Sequence, residues 1–298
     1  MTSLRAKAML AAIVFVFAGS VAFAQAPTDA RPTIQWYVPN LPPVAIPSGP
    51  YQGQGWGDRR RQLLIEQMPT FHHETFEASG TRFTEIIKSK PNVCSANLLR
   101  TPEREAYIEF SLPLSRILPN GVITTHMLFA QLKPLLNERG ELKLGDFLAL
   151  GTYRLAISAV TPIRSFGAGI DPLLKKHADG PSIVFLPTSS QGRLLKLATQ
   201  NDFDATIGYA AELRYLIREL GLAERDFVFI PIAEEPPLIA TYVGCSKTPF
   251  GKNVIQAVNR VFADERIKRL DTAAYRAWLD DDNAARYDRL LREVRAGR

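Results

Sequence analysis

Apolar and polar residues recur along this chain with two different periods, and the periods alternate in a regular order. Thr33–Val38 is rich in β-branched and aromatic residues and reads as a strand, followed by a Pro/Gly-rich loop over Pro39–Gly55. From Asp58 to Met68 the spacing of Leu63, Leu64 and Met68 predicts a helix, with Asp58 placed to cap it. Phe71–Phe76 reads as a strand, Arg82–Lys88 as a short helix, Asn92–Leu98 as a strand, and Gly121–Phe129 as a β-like run leading away from this unit. The middle of the chain repeats the order. Tyr153–Ser158, Ser182–Leu186, Ala205–Tyr209 and Phe227–Ile232 read as strands; Phe166–His177 (broken near Pro172), Gln191–Gln200 and Ala211–Leu220 read as helices. Pro236–Gly244 then runs back as an extended segment, and Gly251–Phe262, Ile267–Leu279 and Asn283–Val294 close the chain as helices.

Strands alternating with helices of these lengths imply an α/β fold with open, largely parallel sheets covered on both faces. Two sets of βα units, joined by one outgoing and one returning extended segment, describe one lobe interrupted by another. The expected boundaries are residues 25–127 with 236–298 for lobe 1 and 128–235 for lobe 2. Ligands of open α/β sheets bind beyond the carboxyl ends of the strands, so the expected site is the cleft between the lobes.

The ends and the composition narrow the setting. Arg5 and Lys7 precede an almost wholly small or apolar run from Met9 to Phe23, and Ala22-Phe23-Ala24 supplies a cleavage site before Gln25. This pattern predicts a secretory signal peptide cut after Ala24, hence a periplasmic protein, with an uncleaved anchor as the alternative. Loss of Arg5 and Lys7 takes the formal net charge from +6 to +4. Basic and acidic residues are interspersed, which argues against a nucleic-acid partner. Cys94 and Cys245 form an even count in an oxidising compartment, which favours a disulfide over two free buried thiols.

Several stretches carry a family resemblance. Thr101-Pro102-Glu103-Arg104, then Ile108 and Phe110-Ser111-Leu112-Pro113, resembles the T-x-x-R…FS-x-P signature of family 3 extracellular solute-binding proteins, the amino-acid-binding type. Pro42-Pro43 and Gly53 through Gly57-Asp58 resemble that family's PPF…GF-D-x-D opening, and Asp202-Phe203-Asp204-Ala205 its G-x-x-D-A element. Val93-Cys94 with Gly244-Cys245-Ser246-Lys247 resembles an uncharacterised proteobacterial branch. The resemblance implies a two-lobed, periplasmic-binding-protein-like fold of type II. It also implies that Arg104 grips an anionic group, with Thr101, Asn97, Tyr37, Asn40 and Trp56 around the solute. A guanidinium fork suits a carboxylate and stays charged at any relevant pH; from spacing alone, Arg104 could instead pair with Glu103 or Glu105. The chain departs from the family at three positions: Leu99 stands where a hydroxyl is expected, Arg100 follows it, and Tyr209 replaces the amine-binding acid.

Arg164 and Ser165, at a glycine-bearing turn between Thr161 and Gly169, are further candidates for an anion, and Tyr209 for a closing contact. Ser189–Arg193 has a similar character. Trp36 and Tyr51 belong to the same aromatic set as Tyr37 and Trp56. In Phe71-His72-His73-Glu74, strand geometry puts His72 and Glu74 on one face and His73 on the other, which does not make a zinc site. Catalytic and cofactor-binding motifs are absent from the sequence. The reading is therefore a monomeric, cofactor-free binding protein that captures a small anionic or amino-acid-like solute by lobe closure for an uptake transporter. The alternatives are a sensory protein that docks on a membrane receptor and a lyase- or dehydratase-type enzyme in the same cleft.

Overall fold

The computed structural model describes residues 31–158, 165–188, 191–198 and 203–297; the expected leader and its cleavage site, Arg164, Ser189 and Ser190 lie outside them. The strands form two separate sheets. The first has the order β2-β1-β3-β11-β4, with β5 paired to the far end of β11. Its members are β1 (Thr33–Val38), β2 (His72–Glu77), β3 (Val93–Leu98), β4 (Ile108–Phe110), β5 (Ser115–Ile117) and β11 (Ile239–Ser246). The second has the order β10-β6-β9-β7-β8 and comprises β6 (Gly121–Thr125), β7 (Leu155–Ser158), β8 (Ile183–Leu186), β9 (Ala205–Gly208) and β10 (Phe227–Pro231).

Within each set of βα units the strands pair in parallel: β1 with β2 and β3, and β7 with β8 and β9. The strands that carry the chain out of and back into each body pair antiparallel, β11 with β3 and β6 with β9 and β10. Both sheets are thus mixed. The chain crosses between them twice, from β5 to β6 and from β10 to β11.

Local chemistry moves three element boundaries from their expected places. The run Gly121–Phe129 is a strand only to Thr125. There the threonine hydroxyl accepts from Leu128 N at 3.3 Å and starts helix α4 (His126–Leu132). Asp58 is not the cap of the first helix but sits in the first turn of α1 (Trp56–Gln67), where its Oδ2 accepts from Gly55 N and Ile46 N. The helix expected over Phe166–His177 is confined to α6 (Asp171–Lys176): Pro172 suits a first turn, and Gly167 has a φ of +151° that the preceding turn needs. Helices α2 (Gly80–Ser89), α3 (Pro102–Glu105), α5 (Leu144–Ala149), α7 (Gln191–Ala198) and α8 (Ala210–Leu220) follow, and the chain ends in α9 (Pro249–Val261), α10 (Glu265–Arg276) and α11 (Asp281–Arg295). Among the described residues, no helix is long and apolar enough to cross a membrane.

The strand period decides the cores. Ile34 and Trp36 of β1 turn to a cluster with Leu64 of α1 and Val254 and Val258 of α9; Tyr37 turns the other way, to Phe83 and Ile87 of α2. The second sheet buries Leu155, Ile157, Ile207 and Ile230 with Phe147 of α5. A further cluster joins elements of both bodies: Ile123 and Phe229 of the second sheet, Leu194 of α7, Tyr215 of α8, Tyr275 of α10 and Tyr287 of α11. Beside it Arg286 of α11 pairs with Glu141 at 2.8 Å.

Cys94 and Cys245 face each other directly across β3 and β11 and form a disulfide with no solvent exposure. It links segments 151 residues apart, both in the first sheet, so it staples that body to itself and spans neither crossing. The Cys94→Ala, Cys245→Ala protein is expected to lose about 2–5 kcal/mol of stability in denaturant titration. An unchanged midpoint, or two alkylatable thiols in the unreduced wild type, would contradict this.

Candidate functional site

A cavity of about 620 Å³ opens where the carboxyl ends of β1, β3 and β9 come together. This is the place that open α/β sheets reserve for ligands, and the volume falls within the range of small-molecule sites. Its walls come from both bodies. The first contributes Tyr37, the Leu41–Val44 loop, Trp56, Phe83 and the stretches Asn97–Leu99 and Thr101–Arg104, and the second contributes Ser165, Tyr209, Ala211 and Glu212.

The loop after β1 forms an apolar wall because it folds down onto α1. Trp56 N donates to Pro43 O at 3.0 Å and Gly57 N to Val44 O at 2.7 Å, which satisfies the helix's first free N–H groups and fixes Pro42, Pro43 and Val44 against the cavity. Tyr37 and Phe83 stack with ring centroids 4.1 Å apart and supply a flat aromatic surface. Burial raises the pKa of the Tyr37 phenol, and the nearby Arg104 charge pulls it partly back.

Arg104 sits on α3, a single turn that Thr101 caps by accepting from Arg104 N at 3.3 Å. Its Nη1 donates to Leu99 O at 2.9 Å, so the residue that lacks the family's hydroxyl holds the guanidinium through its backbone instead. The ion pair with Glu103 or Glu105 does not form. Glu105 is taken by Arg100, and among the described residues Arg104 has no carboxylate partner. A half-buried guanidinium with one carbonyl partner, facing a cavity, keeps most of its donors for something else.

The other expected residues divide. Thr101, Asn97, Tyr37, Trp56, Ser165 and Tyr209 all line the cavity with Arg104. Asn40 does not: it lies exposed on the turn after β1, beside Leu41, which pairs back to Ala45 and lines the cavity's open edge. Ser165 donates to Asp171 Oδ2 at 2.6 Å, which ties it to the start of α6. Trp36 and Tyr51 belong to packing. Trp36 is fully buried and donates to His73 Nδ1 at 3.0 Å, while Tyr51 meets Tyr215 and Trp278 edge-on. Gln191, Gly192 and Arg193 fall in the first turn of α7.

Two features of the site escaped the sequence reading. Glu212 is 7% exposed and lines the cavity from the second body, one turn into α8 from Tyr209. It restores a carboxylate to the side where the expected amine-binding acid is replaced by Tyr209. Below the floor, Arg60 of α1 is completely buried and forms a two-point pair with Asp271 of α10, Nε–Oδ1 2.8 Å and Nη2–Oδ2 2.7 Å. It also donates to Ala96 O, Asn97 Oδ1, Thr241 Oγ1 and Ser115 Oγ. Nothing in the sequence pointed to Asp271, 211 residues away.

Comparison with known proteins gives the fold its class. The two mixed open sheets with a cavity between them are the type II periplasmic-binding fold. A probable amino-acid ABC transporter extracellular-binding protein of Bacillus subtilis superposes with a TM-score of 0.60 at 15% identity, over 85% of this chain and 99% of that one. The periplasmic VFT2 domain of Bordetella pertussis BvgS matches at 0.57 and 15%, over 83% and 94%. An amino acid ABC transporter substrate-binding protein of Streptococcus pneumoniae bound to L-arginine matches at 0.53 and 14%, over 84% and 97%. No family model matches the chain, and no curated protein matches it in sequence.

Removing one member of a buried ion pair strands the other charge. Asp271→Ala is therefore expected to lower stability by about 3–5 kcal/mol in chemical denaturation. A loss below about 1 kcal/mol would show that water reaches Arg60.

Proposed function

We propose that the chain is an exported, monomeric solute-binding protein that captures a small amino-acid-like solute in this cavity and passes it to a membrane transporter. The observation that carries the reading is Arg104: a permanent cation on the wall of a solute-sized cavity, without a carboxylate of its own among the described residues. A bidentate carboxylate is the group that fits it best. Glu212, on the opposing body, already accepts from Tyr209 N and adds carboxylate charge on the side proposed for the solute's ammonium, and Tyr37 and Phe83 offer contact to its apolar part. The likeness in fold to substrate-binding proteins of amino-acid transporters supports the same assignment.

In this reading the two lobes are the two bodies, lobe 1 expected over residues 25–127 and 236–298 and lobe 2 over 128–235, with β6 (Gly121–Thr125) going with lobe 2 because it pairs in the second sheet. Contacts that need both lobes shift the population toward the closed form. Capture is followed by release, not by turnover. A second reading, a sensory protein that docks on a membrane receptor, is favoured by the likeness to the BvgS domain. Both use one cavity and differ in the partner that reads the closed form.

A thermal-shift screen of the twenty common L-amino acids and of phenylacetate tests the reading. At least one amino acid is expected to raise the melting temperature of wild type, and Arg104→Ala to abolish the shift while keeping the fold. An equal shift in Arg104→Ala would remove that residue from the site. In Glu212→Gln the same amino acid should bind about tenfold more weakly while phenylacetate is unaffected; equal losses for both probes would contradict the role given to Glu212.

A further inference from the structure

The two segments that cross between the bodies also grip one loop of the second body, and that loop reaches the cavity. The outgoing crossing, residues 118–120, contributes Asn120, which is buried and donates from Nδ2 to Phe166 O. The returning crossing, residues 232–238, contributes Glu235, whose Oε1 accepts from Gly169 N at 2.8 Å and from Ile170 N at 3.2 Å. The gripped loop, residues 165–170, starts at Ser165 on the cavity wall and runs into α6. Asp171 closes it on itself by accepting from Ser165 Oγ at 2.6 Å and Phe166 N at 2.8 Å.

The residues of the loop suit this attachment. A Cβ on Gly167 would run into the Glu235 carboxylate, and one on Gly169 into the Glu234 carbonyl, so two glycines let the crossing come close. Phe166 is buried in the core of the second body, which ties the loop down between its two anchors. Burial raises the pKa of the Glu235 carboxyl; the N–H groups of Gly169 and Ile170 work against that rise, and the nearby Asp171 and Glu234 charges add to it. Glu234 turns the other way and accepts from Leu144 N and Gly145 N at the start of α5. The anchors Asn120 and Glu235 adjoin Pro119 and Pro236, where the chain leaves the second body. Neither anchor lines the cavity itself.

We propose that Asn120 and Glu235 are positioning residues that couple the crossings to the cavity, so that a solute seated against the Ser165 loop and the geometry of the crossings set one another. The inference rests on the solute capture proposed above and deepens it, by naming how occupancy of the cavity reaches the segments that join the bodies. The coupling is reciprocal: what loosens the grip on the loop weakens the solute, and what binds the solute steadies the crossings.

The test uses the full mature protein, isothermal titration with the common L-amino acids, and amide hydrogen exchange with and without the tightest binder. Glu235→Ala removes the acceptor of Gly169 and Ile170, whereas Glu235→Gln keeps an acceptor oxygen and discards the charge beside Asp171 and Glu234. Without solute, exchange at Gly169 and Ile170 should speed up about tenfold in Glu235→Ala and be restored in Glu235→Gln. Affinity should fall about ten- to hundredfold in Glu235→Ala and return to within about threefold of wild type in Glu235→Gln. In wild type the solute should also slow exchange at Ala233 and Glu235, whose N–H groups bond to Leu142 O and Ile232 O, and in Glu235→Ala the slowing at Ala233 should vanish. Adding Asn120→Ala to Glu235→Ala should cost less than the two single losses together, because both hold one loop. Should Glu235→Ala not fold, Asn120→Ala carries the same expectations for affinity and for Ala233.

Binding by Glu235→Ala within about twofold of wild type overturns the proposal, as does equal protection of Ala233 by solute in the two proteins. If wild type binds none of the amino acids, the solute-capture reading fails first and this inference falls with it. That outcome is distinguishable from binding by wild type that survives Glu235→Ala.

Discussion

Arg60 is buried completely, so each of its N–H groups must find an acceptor within the protein, and the places where it finds them decide how the site is built. Two go to Asp271 of α10, and others reach Ala96 and Asn97 on β3, Ser115 on β5 and Thr241 on β11. One side chain thereby ties the first helix, three strands and a C-terminal helix into a single floor. The disulfide between β3 and β11 fixes the same two strands a few residues away. A charge pair in this position adds little net stability, but its geometry is specific, and it fixes the elements under the cavity relative to one another.

On that floor the charges are arranged unequally. Arg104 comes from the first body and is held by a carbonyl alone, whereas Glu212 comes from the second body and is nearly buried at the start of α8. The two opposite charges therefore come from different bodies. The bodies are also in apolar contact outside the cavity. Tyr215 of α8 packs against Trp278, just beyond α10, and Arg218 lies over the same indole at 5.4 Å. Arg286 and Glu141 form a further link beside the crossing segments. Motion between the bodies must respect these joints as well as the two crossings.

Much of this architecture was legible in the sequence because its signals are periodic. Strand and helix spacing separated the two βα sets, and the antiparallel direction of β6 and β11 follows once the chain is known to leave and return. Arg104 and Thr101, which line the cavity, stood out through a local motif, and the cysteine pair through its parity. What was missed depends on tertiary distance. Asp271 looks like an ordinary helical acid until α10 folds over α1, and Glu212 looks like a solvent-facing residue of α8 until the cavity is closed around it. Asn40 was expected at the solute by its place after β1, but it lies exposed and off the cavity lining, which its neighbour Leu41 joins instead. Thr125, Asp58 and Gly167 shifted element ends through single hydrogen bonds or one backbone angle, which composition does not reveal.

The central claim is that an anionic group of a small solute is held against Arg104 between two α/β bodies. A crystal structure of the protein with its tightest-binding amino acid tests this most directly. The account predicts one solute molecule in the cavity with both carboxylate oxygens within hydrogen-bonding distance of the guanidinium. A solute bound with its carboxylate turned away from that side chain, or seated outside the cavity, would contradict it.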